Sequence, residues 1–157
     1  MFHVEQRRVS GNVGEVSTPA SREASKTYGE YYREFWKMSE LGVDLTYYGF
    51  FKDFFSSGLC PQTEEEEFHW LDLPERVTVY RGYCKLHGHS DGLSWTPNKE
   101  LAQWFASRLP RNEQPTLATA EVNRDKISLV FLDREPEYII LHIDQDLITQ
   151  ERERSYY

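Results

Sequence analysis

Three short segments of this chain set polar side chains where chemistry could use them. In Tyr80-Arg81-Gly82 an arginine follows an apolar run and precedes a glycine, so a planar guanidinium fork would stand where backbone can approach closely. Such a fork suits phosphate or carboxylate. In Gly92-Leu93-Ser94-Trp95-Thr96, extended alternation puts Ser94 and Thr96 on one face and Leu93 and Trp95 on the other. In Arg134-Glu135-Pro136-Glu137 two carboxylates lie two residues apart and run straight into the apolar segment from Tyr138 to Leu141. If Glu137 belongs to that strand it is held rigidly, whereas Glu135 sits on the preceding loop and can move. A strand with a capped exit would also explain the second segment, and a solvated surface the third. Cys84, His87, His89 and Asp91 have side chains that suit zinc, but the spacing Cys-x-x-His-x-His-x-Asp matches no standard ligand set. That stretch reads as a solvated loop, and no metal is expected. The chain contains no G-x-x-x-x-G-K-[ST], G-x-G-x-x-G or H-E-x-x-H and no paired C-x-x-C, which argues against a nucleotide kinase and a dehydrogenase.

The elements that must position these residues follow from the period of the apolar pattern. Residues 1 to about 18 mix Gly, Ser, Val and charge without a period and read as a flexible arm. From about Pro19 to Ser39 the aromatics Tyr28, Tyr31, Tyr32, Phe35 and Trp36 recur on one helical face, and Gly42 supplies a stop. A second helix from about Asp44 carries Tyr47, Tyr48, Phe51, Phe54 and Phe55 and ends near Gly58. Thr63 and Glu66 form a capping box for a third, closed by Pro74; its run Glu64 to Glu67 suits a helix first turn rather than a metal. After Pro74 the period changes. The segments Val77 to Tyr80, Leu93 to Thr96, Thr116 to Val122, Ile127 to Phe131 and Tyr138 to Ile143 are short and rich in β-branched and aromatic residues, and read as strands. Between the second and third lies a helix with Thr96 as N-cap, Pro97 at its first position, Leu101, Trp104, Phe105 and Leu109 as apolar residues, and Pro110 as terminator. The expected class is α+β, one domain over 19–157 with a helical part over 19–74 and a sheet core of at least five strands over 75–150.

Composition bounds the partners. Among 157 residues, 26 acidic and 18 basic side chains give a net charge of −8, a field that repels phosphate backbones and anionic lipid surfaces. Nucleic acid and membrane are therefore not the expected partners. Aromatics are 15% of the chain, and their large apolar area makes a folded core attainable. Two cysteines exclude a disulfide framework and favour a reduced intracellular setting. Charges interrupt the N-terminus where a signal peptide needs an apolar run, so a cytoplasmic location, in the producing or a host cell, is expected.

Taken in order, the three polar segments resemble the ADP-ribosyltransferase fold, in the Arg/Ser/Glu class shared by bacterial toxins and arginine-modifying transferases. The likeness covers about Val77 to Ile143: Tyr80-Arg81-Gly82 on the first core strand, Leu93-Ser94-Trp95-Thr96 followed by Ala102-Gln103-Trp104-Phe105-Ala106, and Glu135-Pro136-Glu137 leading into Tyr138-Ile139-Ile140. Arg81 stands where the other class of this fold has His. The serine motif lacks a second serine, and Pro136 stiffens a loop that usually flexes. The resemblance implies a split sheet, mixed or antiparallel, and a mono-ADP-ribosyltransferase, a glycosyltransferase of toxin or effector kind using NAD as substrate without a metal. It implies that Arg81 holds the NAD pyrophosphate, with Gly82 and Thr96 beside the cofactor. Ser94 orients the pocket, and Trp104 or Phe105 stacks on nicotinamide. Glu137 stabilises the ribose cation, and Glu135 faces a protein acceptor at arginine. An NAD glycohydrolase and a non-catalytic interaction protein on the same fold are the alternatives.

Overall fold

Alternation in the second half of the chain decides which side chains enter the core and which are left for a site. The computed structural model describes residues 19–38, 45–84, 92–108 and 114–154. The arm read over 1–18, and His87, His89 and Asp91 of the loop after Cys84, lie outside these described residues. The contacts divide the chain into two units, with the division after Gln62.

The second unit holds two three-stranded antiparallel sheets. In the first, β1 (Arg76–Cys84) pairs with β3 (Pro115–Asn123), and β3 with β6 (Ile148–Arg152). In the second, β5 (Glu137–Ile140) lies between β2 (Ser94–Trp95) and β4 (Ile127–Phe131). The sheets are joined at one seam, where Tyr80 and Thr96 exchange N–H···O bonds of 2.7 and 2.9 Å. Val77, Val79 and Val122 from the first sheet and Trp95, Val130, Tyr138 and Ile140 from the second share one buried cluster. This is the α+β class expected, with the sheet split in two.

Four local readings change. Arg81 and Gly82 lie in the middle of β1, not at its end, because the ladder continues through Tyr83↔Thr116 to Cys84↔Pro115. The β5 strand stops at Ile140 instead of Ile143, since Ile140 already faces Ile127, the first residue of β4. The helix α4 (Lys99–Ser107) is capped by Asn98, whose side chain accepts the Leu101 N–H at 3.1 Å. Thr96 is not the N-cap, because its backbone is tied into the seam with Tyr80. Its hydroxyl instead accepts the Asn98 N–H. The strand β6 was not expected at all: Ile-Thr-Gln-Glu-Arg has no apolar alternation, and only Ile148 is partly covered. It is an edge strand, where charge and polarity discourage pairing with other chains.

The helix α3 (Glu64–Asp72) belongs to this unit. Its capping box is formed as read, with the Thr63 hydroxyl on the Glu66 N–H and the Glu66 carboxylate on the Thr63 N–H. The Trp70 indole donates to the Ile127 carbonyl at 2.9 Å, and Arg124 reaches the carbonyls of Leu71 and Leu73, closing the helix onto β4 and the turn before it.

In the first unit, α1 (Pro19–Met38) and α2 (Leu45–Ser57) pack through aromatic rings. Trp36 lies 5.2 Å from Phe51 and 5.0 Å from Phe55 between centroids, and Phe51, Phe54 and Phe55 are buried. Gly29 lets the Leu59 backbone approach α1 so closely that a Cβ there would collide with its carbonyl oxygen. Tyr28, Tyr31, Phe35 and Tyr47 of the two stripes remain exposed, as does Phe50. Among the described residues no helix is long and apolar enough to cross a membrane.

Candidate functional site

The seam between the sheets brings together three polar side chains from three separate strands. Ser94 lies on β2 beside the Tyr80–Thr96 bridge, Glu137 opens β5, and Arg81 follows Tyr80 on β1. Ser94 faces Ile139 across the ladder, so Glu137, two residues earlier, is its diagonal neighbour on the same face. The Ser94 hydroxyl donates a hydrogen bond to Glu137 Oε2. The Ser94 carbonyl accepts from Arg81 Nη1 at 3.1 Å. One serine thus holds a carboxylate with its side chain and a guanidinium with its backbone. All three residues are half-buried, neither sealed in the core nor free in solvent.

The surroundings enforce this arrangement. Gly92 lies against the Arg81 guanidinium, and a Cβ there would overlap it; the Gly92 carbonyl meanwhile accepts the Trp95 indole N–H at 2.7 Å. Gly92 was missed as a site residue, although a glycine immediately before an apolar strand was a visible signal for close approach. Tyr138 next to Glu137 is buried, and burial pushes its phenol pKa above the ordinary 10.0, so it stays neutral. Its hydroxyl shares a hydrogen bond of 2.6 Å with His69 Nε2 of α3.

The remaining expected residues lie outside this hydrogen-bonded set. Glu135 is exposed on the turn between β4 and β5, as its position before Pro136 suggested. Thr96 is buried at the seam with its hydroxyl turned to Asn98. Gly82 has a structural reason: a Cβ there would strike the Ala102 carbonyl and lie 2.7 Å from the Ala106 nitrogen, so α4 rests directly on β1. Alternation sends Arg81 to the other face, which it shares with Val77, Val79 and Tyr83. Trp104 and Phe105 on α4 meet edge to face, and Arg108 lies over both rings at 5.4 and 4.9 Å. Trp104 is 56% exposed, and neither ring belongs to the hydrogen-bonded set of Arg81, Ser94 and Glu137. Among the described residues no group of three or more His, Cys, Asp or Glu could hold a metal ion; Cys84 is buried and reduced.

Chemically, the set offers a fixed carboxylate, a hydroxyl that orients it and a cation anchored beside it. Such a combination can bind an anionic ligand at the guanidinium and stabilise positive charge developing near the carboxylate. The chain matches no protein-family model, no curated protein and no solved structure.

Proposed function

We propose that this protein is a mono-ADP-ribosyltransferase of the Arg/Ser/Glu class that transfers ADP-ribose from NAD to an arginine of a protein acceptor. The reading rests on one observation above the others: Ser94 bridges Arg81 and Glu137 at the seam of a split sheet, the three residues coming from three strands. Chance motif matches on unrelated surfaces would have no reason to converge there.

In this reading the Arg81 guanidinium, anchored by the Ser94 carbonyl, takes the NAD pyrophosphate through charge-assisted hydrogen bonds. The bond between ribose C1′ and nicotinamide breaks with its electron pair leaving on nicotinamide, and C1′ passes through an oxocarbenium-like state. Glu137, already oriented by Ser94, supplies a carboxylate at that cation without reorganising. An arginine nitrogen of the acceptor then bonds to C1′ and loses a proton, for which Glu135, exposed on the adjoining turn, is the base at hand. Thr96 and Gly82 also have roles in the fold, Thr96 accepting the Asn98 N–H and Gly82 admitting α4, while Trp104 and Phe105 contact each other and Arg108.

The test pairs two assays on purified protein: release of free nicotinamide from NAD, and labelled ADP-ribose on an arginine-rich acceptor. Wild type should do both, and Glu137→Gln, which keeps shape and an acceptor for Ser94, should lose roughly a hundredfold or more in both. Nicotinamide release that is absent in wild type, or equal in the two proteins, overturns the assignment. Release without transfer would identify the glycohydrolase alternative.

A further inference from the structure

The turn that carries Glu135 and leads to Glu137 is gripped at both ends by one helix. At its start, the Leu132 N–H donates to Glu66 Oε2 at 2.9 Å. At its end, the Tyr138 hydroxyl meets His69 Nε2 at 2.6 Å. Both partners lie on α3, three residues apart and so on one helical face. A capping box alone does not require this: Glu66 Oε1 completes the box on the Thr63 N–H at 2.9 Å, while the second oxygen is spent outside the helix. Glu66 is only 1% exposed, and a buried carboxylate is tolerable only when its oxygens are hydrogen-bonded. Between the anchors, Asp133, Arg134 and Glu135 are exposed and outside any strand. The turn is thus exposed in its middle and tied to α3 at both ends.

We propose that α3 is the positioning element of the candidate active site, with Glu66 and His69 acting as positioning residues for Glu135 and Glu137 through Leu132 and Tyr138. The inference rests on the transferase reading for what the hairpin does, but not for how it is held. Tyr138 follows Glu137 directly and points to the opposite face, so fixing its hydroxyl fixes the direction in which Glu137 leaves the strand. Glu66 sets where the turn begins and hence the reach of Glu135. Arg81 lies on β1, outside the hairpin, so ligand binding there does not depend on α3.

The experiment compares wild type with His69→Ala, His69→Gln and Glu66→Gln by two measurements. The first is amide hydrogen exchange between Leu132 and Tyr138, which needs no activity. His69→Ala and Glu66→Gln should speed exchange there while leaving β1 and β3 protected, and His69→Gln, whose amide can still bond the phenol, should restore most of the protection. The second is steady-state nicotinamide release: kcat should fall about tenfold in His69→Ala with KM for NAD within about twofold, and recover in His69→Gln. Glu66→Gln should lower transfer to arginine more than it lowers hydrolysis. Unchanged exchange over Leu132 to Tyr138 overturns the positioning role whatever the activity. Faster exchange with unchanged kcat overturns its catalytic part. A wild type that releases no nicotinamide refutes the assigned reaction, and the exchange comparison still decides whether α3 holds the hairpin.

Discussion

Ser94 does two jobs with one residue, and the division between them predicts how its neighbours respond to substitution. Its hydroxyl orients Glu137 and its carbonyl anchors Arg81, so either charge can be changed without touching the bond to the other. Arg81→Lys keeps the charge but replaces a planar fork with a point-charge ammonium on a flexible stem. The carbonyl anchor and bidentate capture of a pyrophosphate cannot both be met by one ammonium in the fork's geometry. NAD affinity should therefore fall about tenfold or more by calorimetry, while the melting temperature moves little because Arg81 is only half-buried. Unchanged affinity would make Arg81 a structural residue packed on Gly92. The same split explains what sequence could reveal at this scale. Arg81, Ser94 and Glu137 were legible because polar residues in or beside apolar strands are conspicuous. Glu66 and His69 were not singled out for the site, because their partners lie 66 and 69 residues away and no local pattern encodes such a pairing.

Among the elements, β1 and α4 are fitted to each other at Gly82. A Cβ at that position would meet helix backbone, not a yielding side chain, so Gly82→Ala must push α4 off the sheet. Overpacking of this kind costs about 1–3 kcal/mol, which urea denaturation would read as a lowered midpoint with an unchanged slope. A midpoint within error of wild type would mean that α4 is loosely seated. The helices and most strands were readable from period, caps and breakers, down to the capping box at Thr63 and Glu66. Besides the ends of β1 and β5, two features were not. The strand β6 forms because β3 offers an open edge from Thr116 to Ala120, a tertiary fact invisible in Ile-Thr-Gln-Glu-Arg itself. The start of α4 moves from Thr96 to Asn98 because the seam claims Thr96, so a good local cap loses to a long-range bridge to Tyr80. Both misses have one cause: pairing across the sheets overrides local preference.

For the whole molecule, the net charge of −8 bears on which substrates the site would meet under the proposed transferase reading. NAD is anionic and an arginine-bearing acceptor is cationic at its reactive group, so one field opposes the first encounter and favours the second. Salt screens both, with a Debye length of about 10 Å at 0.1 M against about 30 Å at 0.01 M. Raising ionic strength should then separate two activities that share one chemical step. Transfer to a basic protein acceptor should slow several-fold at limiting acceptor concentration, because steering of encounter is lost. Nicotinamide release without acceptor should hold steady or rise slightly, because repulsion of NAD weakens while Arg81 and Glu137 still meet it at close range, where screening matters least. A small neutral or anionic peptide bearing the same arginine provides the control, since its transfer should lose the salt dependence. If transfer to the basic acceptor and NAD hydrolysis respond to salt in parallel, the acidic surface takes no part in choosing the acceptor, and selection must lie in local contacts around Glu135. If the neutral peptide slows as much as the basic protein, salt is acting on the chemical step or on the fold, and the field argument fails.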